Sequence, residues 1–473
     1  MLEAATNPAV AAPPLAPPRS QAGEQEVTSI LPAQPKTIRD TGLDRQLVLA
    51  LLAKAIHQAG RAHLPVLGSM LRLSLNVLRE ALEQLMAEQM VEIASRGESD
   101  IDIQYRLTGP GKAYVADCLA QCRYVGPAPV TLEALRGALA RDAARHAQAG
   151  GVGPAELAAA FADDGIGSSM RTELGAAVHS RRALLLHGPS GSGKTALARK
   201  LARLLPGVVC VPYAVLVAGQ IVQFHDPLVH RAPLPNQARE HDERRNCDSR
   251  WSVCQRPLVH VGAELTRAML DLRYDAANGI YRASCQLQAS GGVCVIDDLG
   301  RQRAPAADLL NRFIGPLDSG TDLLTLQGGH AEPIPFNAKM VFVTNLAPQA
   351  LVDEALLRRI GYRIHCGALS ETSYRALLRR QCGAAGMAFD DEAADYLLQQ
   401  LHAAALRPLL AGYPRELLGR VADFASFAGA PPRLTIAALE RAWTSMFVCC
   451  APLTGSPAVG AASQGAVLSG ERS

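Results

Sequence analysis

The eight residues GPSGSGKT, Gly188 to Thr195, constrain the fold of this chain more than any other stretch. They follow a short apolar strand pattern, Ala183 to Leu186, and open a helix pattern with Leu197, Leu201 and Leu204 on one face. A GxxxxGK[ST] run between a strand and a helix reads as a phosphate-binding loop. Gly188, Gly191 and Gly193 let successive backbone N–H groups curl inward onto phosphate oxygens, and the helix adds the positive end of its dipole. Pro189, Ser190 and Ser192 complete the loop. Lys194 then reaches the β- and γ-phosphates and Thr195 offers its hydroxyl to a magnesium ion, so the ligands called for are ATP and Mg2+.

A second apolar run, VCVIDD from Val293 to Asp298, ends on two carboxylates. A lone buried carboxylate is costly, so the pair must be partnered or hold a metal. Beside a phosphate loop, Asp297 acquires the role of organising Mg2+ through its water shell, and Asp298 that of polarising the attacking water. Taken alone, the run is equally a strand end spilling into a polar turn.

With these two motifs in place the chain resembles the AAA+ ATPases, over about Gly153 to Val448. VFVTN, Val341 to Asn345, resembles the sensor 1 strand, which implies that Asn345 contacts the γ-phosphate or the attacking water. EALLRRIGYRI, Glu354 to Ile364, resembles the segment that presents an arginine finger to a neighbouring subunit; Arg359 holds the usual finger position and Arg358 is the alternative. GYPRELLGRV, Gly412 to Val421, resembles the sensor 2 helix of an α-helical lid, placing Arg415 near the nucleotide. The resemblance implies a ring oligomer, with a hexamer as the expected size. Each accessory residue also has a plain reading: Arg358 and Arg359 as a solvated helix end, Arg415 as a lid salt bridge, Asn345 as a turn residue.

Two departures from the family pattern stand out. Asp297-Asp298 replaces the usual Asp-Glu, drawing the second carboxylate back by one bond, and a misplacement of ~1 Å can cost on the order of 100-fold in rate. The chain between Lys194 and Asp297 is also longer than a minimal core needs, and the polar stretch Phe224 to Val261 reads as an insertion. Two hairpins are expected as well, one turning at Asn278-Gly279 and one at Gly328-Gly329. The second precedes the sensor 1 strand, where related motors carry a substrate-facing or pore loop; a decorated sheet edge is the equal alternative.

Ahead of the ATPase region, residues 35–125 read as helix, helix, helix, hairpin, helix, resembling a winged helix-turn-helix domain. Residues 36 to 125 carry eleven Lys or Arg against ten Asp or Glu, and the third helix pattern has Arg79 among Glu80, Glu83 and Glu88. Nucleic-acid binding needs a clustered basic face, so a protein-facing or regulatory role is favoured. The whole chain is nearly balanced, with 47 basic and 44 acidic residues, and no run approaches the ~18 apolar residues of a membrane span. Eleven scattered cysteines, several inside apolar runs, look like reduced core thiols and point to the cytoplasm. A zinc set of His241, Cys247, Cys254 and His260 fits poorly, because Cys-x6-Cys is not a usual ligand spacing.

The expected architecture is therefore α/β: a disordered Ala/Pro-rich tail (1–34), a winged-helix-like domain (35–125), a connecting helix (126–152), an AAA+ αβα core (153–368), an α-helical lid (369–450) and a second disordered tail (451–473). The expected function is an ATPase that remodels or assembles a macromolecular client. Its rival is a nucleotide-dependent switch that regulates transcription or complex assembly through the winged-helix domain.

Overall fold

The computed structural model describes residues 30–96, 102–148, 152–180, 182–205, 207–233, 246–327, 329–351 and 354–447. Both expected tails lie mainly outside these residues. The first tail was drawn too long, however. Ile30 is buried, Ala33 bridges to Cys247, and the Gln34 N–H donates to Asn246 O at 3.0 Å. Ile30 and Leu31 supply enough apolar surface to hold the segment against the insertion.

The chain divides into two compact units, one running to Ala162 and from Gly167 to Gly367, the other made of Asp163–Ile166 and the residues from Ala368 on. The first unit is built on a five-stranded parallel sheet. Its strands in chain order are β1 (Leu184–His187), β2 (Leu258–Val261), β3 (Val293–Ile296), β4 (Lys339–Thr344) and β5 (Tyr362–His365). They lie in the order β2-β3-β4-β1-β5, each pair parallel. Continuous apolar runs such as Leu184-Leu185-Leu186 and Val293-Cys294-Val295-Ile296 suit a parallel sheet, which is covered on both faces; all seven residues are buried. The helix Lys194–Arg203 follows β1 and buries Leu197, Ala198, Leu201 and Ala202 along one stripe.

The expected insertion, Phe224 to Val261, was misplaced at both ends. Leu258–Val261 is a core strand, and the added β structure begins at Val208. Val208–Pro212 pairs with Trp251–Gln255, and a separate five-stranded sheet joins Arg273–Asp275, Ile280–Arg282, Gln220–Gln223, Ala214–Val217 and Val130–Thr131. Residues 234–245, with His241, lie outside the described residues. The Asn278-Gly279 hairpin forms with Asp275 opposite Ile280. Its loop therefore spans Ala276 to Gly279 and is not a two-residue turn, because Asp275 O accepts from both Asn278 N and Gly279 N. The later hairpin pairs Thr321–Thr325 with Ala331–Pro335; Gly328 lies outside the described residues. Arg136 donates to Pro333 O and the Gln327 N–H to the Tyr281 hydroxyl, both at 2.7 Å, so this hairpin is anchored to its own subunit.

The N-terminal helices Arg45–Ala59, Leu64–Leu71, Leu75–Ala87 and Gly109–Gln121 surround a small antiparallel sheet ordered Ala62–His63, Gln104–Leu107, Val91–Ser95. Asp44, Ser74 and Thr108 cap three of these helices through their side chains. Residues 97–101, between the two arms, lie outside the described residues. This domain shares a core with the insertion, since Ala214, Ile221 and Ile280 pack among Leu49, Leu52 and Ile56. A buried ion pair reinforces the seam: Arg250 grips Asp248 at 2.8 Å and donates to Thr41 O and Pro129 O, both at 3.1 Å. The connecting helix runs Leu132–Gln148, and its expected end at Gly150-Gly151 lies outside the described residues.

The second unit is helical: Glu371–Ala384, Asp391–Tyr396 continuing as a π-helical turn through His402, Tyr413–Phe427 and Ile436–Phe447. Its core gathers Tyr374, Leu378, Leu397, Leu417 and Trp443. Inside it the Tyr374 hydroxyl bonds His402 Nε2 at 3.0 Å.

Candidate functional site

In open parallel sheets, ligands sit beyond the carboxyl ends of the strands. Here β1 ends at His187, opposite Thr344 at the end of β4, while β3 ends at Ile296, opposite Phe342, so Gly188, Asp297 and Asn345 all leave the sheet at the same edge.

The loop after β1 depends on glycine where the sequence supplies it. Gly188 has φ +141°, and a Cβ there would stand 2.2 Å from Cys366 O. Only a residue without a side chain lets the loop pass β5 so closely. Gly193, at φ 89°, turns the chain into the helix that begins at Lys194. Lys194 folds back over the loop, its Nζ donating to Pro189 O at 2.7 Å, Gly188 O at 2.9 Å and Ser192 Oγ at 3.3 Å. The residue is 5% exposed. Burial lowers its pKa, and the charges of Asp297 and Asp298 partly offset that fall. Its three acceptors are neutral, so a buried cation faces a glycine-rich concavity without a direct carboxylate partner, an arrangement that fits an anion such as a polyphosphate.

Asp297 is buried and well partnered. His260 Nε2 lies 3.0 Å from Oδ2, the Asp298 N–H donates to Oδ1 at 2.9 Å, and Thr195 lies close enough to favour the ionised carboxylate. Burial pushes the Asp297 pKa up, but His260, Thr195 and the Asp298 N–H together overcome it and hold the carboxyl below its ordinary value. The Thr195 hydroxyl and an ionised Asp297 are oxygen donors of the kind Mg2+ takes, and their meeting fits a magnesium site next to a bound triphosphate.

Asp298 adopts φ +50°, a left-handed conformation uncommon outside glycine. Asn345 Nδ2 donates to its Oδ1 at 3.2 Å, so the two residues singled out around the attacking water stand in direct contact. Gln302 braces the turn from below by donating to Asp297 O at 2.9 Å and accepting from the Gly300 N–H at 2.9 Å.

The finger candidates Arg358 and Arg359 are engaged within the chain. Arg358 bonds Glu354 one helical turn back at 2.9 Å and is 74% exposed. Arg359 Nε donates to Asp318 Oδ2 at 2.7 Å within the same chain. Arg415 is exposed on the helix Tyr413–Phe427 of the second unit.

His260 escaped the sequence reading except as a doubtful zinc ligand. Among the described residues no group of His, Cys, Asp or Glu is arranged to hold a metal by itself. The clue to its position was a polar residue inside LVHV, an apolar strand of the same kind as VCVI. His187 was also passed over. Its ring lies 5.0 Å from that of His365 at the ends of β1 and β5, and burial, then His365, then Lys194 lower its pKa.

A family model described as a domain of unknown function, DUF8689, matches residues 370–445. No curated protein matches the chain. Among solved structures, NtrX from Brucella abortus is similar at 14% identity and a TM-score of 0.38, over 61% of this chain and 59% of that one. The same protein in complex with ATP gives 14% identity and a TM-score of 0.38, over 61% and 58%. The Thermotoga maritima RuvB Holliday junction branch migration motor gives 14% identity and a TM-score of 0.34, over 60% and 70%. The match thus spans less than two thirds of the length of NtrX.

Proposed function

We propose that the chain is an AAA+ ATPase that binds Mg2+–ATP at the carboxyl edge of β1, β3 and β4 and uses hydrolysis to remodel or assemble a macromolecular partner. The observation that carries this reading is the convergence of three groups: the buried Lys194 ammonium over the Gly188–Gly193 loop, the Thr195 hydroxyl, and the Asp297 carboxylate that Thr195 meets. Lys194 would neutralise the β- and γ-phosphates. Thr195 and Asp297 would hold Mg2+, which when bound screens phosphate charge. Asp298, positioned by Asn345, would orient the attacking water. Arg359, with Arg358 as alternative, would serve the γ-phosphate of a neighbour in a ring, and Arg415 would close from the lid.

In this reading the N-terminal domain is a winged helix that faces protein. The turn entering its third helix is taken up within the chain: Ser74 Oγ donates to Pro35 O at 2.7 Å, Ser249 Oγ to Arg72 O at 2.8 Å, and Arg72 lies over the Tyr213 ring at 5.2 Å. A winged helix that reads DNA presents the start of that helix to base edges.

The rival reading, a nucleotide-dependent switch, draws on the short, Asn345-tethered Asp298. Steady-state phosphate release by the full chain and by Lys194→Ala, with and without a magnesium chelator, decides between them. Chelator-sensitive turnover that Lys194→Ala abolishes supports the ATPase. Tight ATP binding without turnover supports the switch. Unchanged ATP affinity in Lys194→Ala overturns both.

A further inference from the structure

The seam between the N-terminal helices and the insertion contains a cavity of about 490 Å³ whose lining includes none of the phosphate-loop residues. Lys54 and His57 reach it from the helix Arg45–Ala59, Arg123 from the segment after Gly109–Gln121, and among the described residues no Asp or Glu lines it. Gln58 and Gln223 add amide groups at its rim.

Lys54 is the unusual member. It is 3% exposed, and its ammonium donates to one acceptor, Cys122 O at 3.1 Å. No carboxylate pairs with it among the described residues. Burial, the largest influence on it, lowers its pKa. An ammonium taken out of water with one neutral acceptor and no carboxylate partner is an expensive arrangement, and a bound anion would offset that cost. Arg123 is exposed beside it; its backbone N–H is engaged with Asn278 O at 2.9 Å, and its guanidinium carries no ion pair among the described residues. The carboxylate of the adjoining hairpin, Asp275, is already committed to Arg282 and Asn278, both at 3.0 Å. The cavity therefore presents the Lys54 ammonium and the Arg123 guanidinium with no carboxylate paired to either among the described residues.

The volume lies in the range of small-molecule sites, ~300–1,000 Å³, and far exceeds what an inorganic anion fills. Leu119, Val125 and Ile280 supply an apolar wall for an organic portion. We propose that this cavity binds a phosphate monoester of small-metabolite size, its phosphate spanning Lys54 and Arg123 and its organic part lying on that wall. A phosphate dianion matches a lysine and an arginine held together better than a single carboxylate does, and the guanidinium fork suits its paired oxygens.

The test uses the full chain carrying Lys194→Ala, so that the phosphate loop does not compete. Inorganic phosphate, ribose 5-phosphate and AMP are titrated by calorimetry, and Lys54 acetylation is followed by mass spectrometry in parallel. Saturable binding of either ester, with protection of Lys54, is the expected result. Arg123→Ser, at an exposed position, should weaken it by ~10-fold or more, as loss of a charged hydrogen bond does. Lys54→Met, similar in volume, should act likewise. If neither ester binds saturably at millimolar concentration, or if Arg123→Ser binds as tightly as its parent, the site is refuted. Should Lys54→Met fail to fold, the Arg123→Ser result alone decides.

Discussion

His260 Nε2 and Asp297 Oδ2 lie 3.0 Å apart, joining the end of β2 to the residue after β3. Because β2 and β3 are paired with Val261 opposite Ile296, the histidine ring reaches the carboxylate from the neighbouring strand without any loop to position it. In the proposed reading His260 is a partner that orients a metal-holding carboxylate, a kind of residue whose loss commonly costs ~10–100-fold in metal affinity. His260→Ala should lower ATP affinity in the presence of Mg2+ by ~10-fold and leave chelator-treated affinity unchanged. Without His260 the raising effect of burial on Asp297 is less opposed, so the acid limb of Mg2+-dependent binding should move to higher pH. Equal losses with and without Mg2+ would assign the histidine to packing alone.

Asp298 combines a strained backbone with a direct bond to Asn345. Asp298→Asn tolerates the left-handed conformation and should keep ATP binding while lowering turnover by ~100-fold or more, the scale of a lost general base. Asp298→Glu should match or exceed the natural rate, since it restores the longer reach. Normal turnover in Asp298→Asn, measured by phosphate release, removes the residue from the reaction.

Arg359 is tied to Asp318 within its own chain, yet a finger acts on a neighbour. The pair is partly exposed and such contacts are weak, ~0–1 kcal/mol, so assembly could displace it. Arg359→Ala should bind ATP and lose ~10³- to 10⁵-fold in turnover. Mixing it with Lys194→Ala should recover part of the activity at shared interfaces. A monomer in sedimentation under every nucleotide condition, with turnover independent of protein concentration, excludes the finger.

His230 gives a pH test independent of catalysis. Its Nδ1 accepts from the Asp226 N–H and its Nε2 donates to Gln288 O, both at 2.9 Å, which only the neutral ring can do. Burial lowers its pKa from 6.5 to about 4. The unfolded chain therefore binds this proton more readily than the folded one. The stabilisation is complete above ~6.5 and is lost as pH falls toward 4, by up to about 3 kcal/mol at 1.36 kcal/mol per pKa unit. Urea unfolding between pH 7 and 4.5 should show this slope in the natural chain and a shallower one in His230→Gln. Identical slopes contradict the assignment.

Local sequence determined the Gly188–Lys194 loop outright. Gly188, Gly191, Gly193 and Lys194 act through backbone freedom and a side chain reaching back a few residues, so their spacing along the chain is their geometry. For β1 and β3 the unbroken apolar runs suit a sheet buried on both faces. What tertiary structure decided is everything that depends on strand order. LVHV was swallowed by an expected insertion because four apolar-rich residues look alike in an edge loop and a core strand, and only pairing with β3 separates the two. That pairing brings His260 to Asp297 across 37 residues. The seam cavity arises in the same way: Lys54, Arg123 and Gln223 lie on separate elements, and no local pattern marks a lysine in an apolar helix as lacking its counter-charge. Sequence carries the residues' chemistry, but burial and partnership are properties of chain segments brought together from a distance, and those settle only when the core closes.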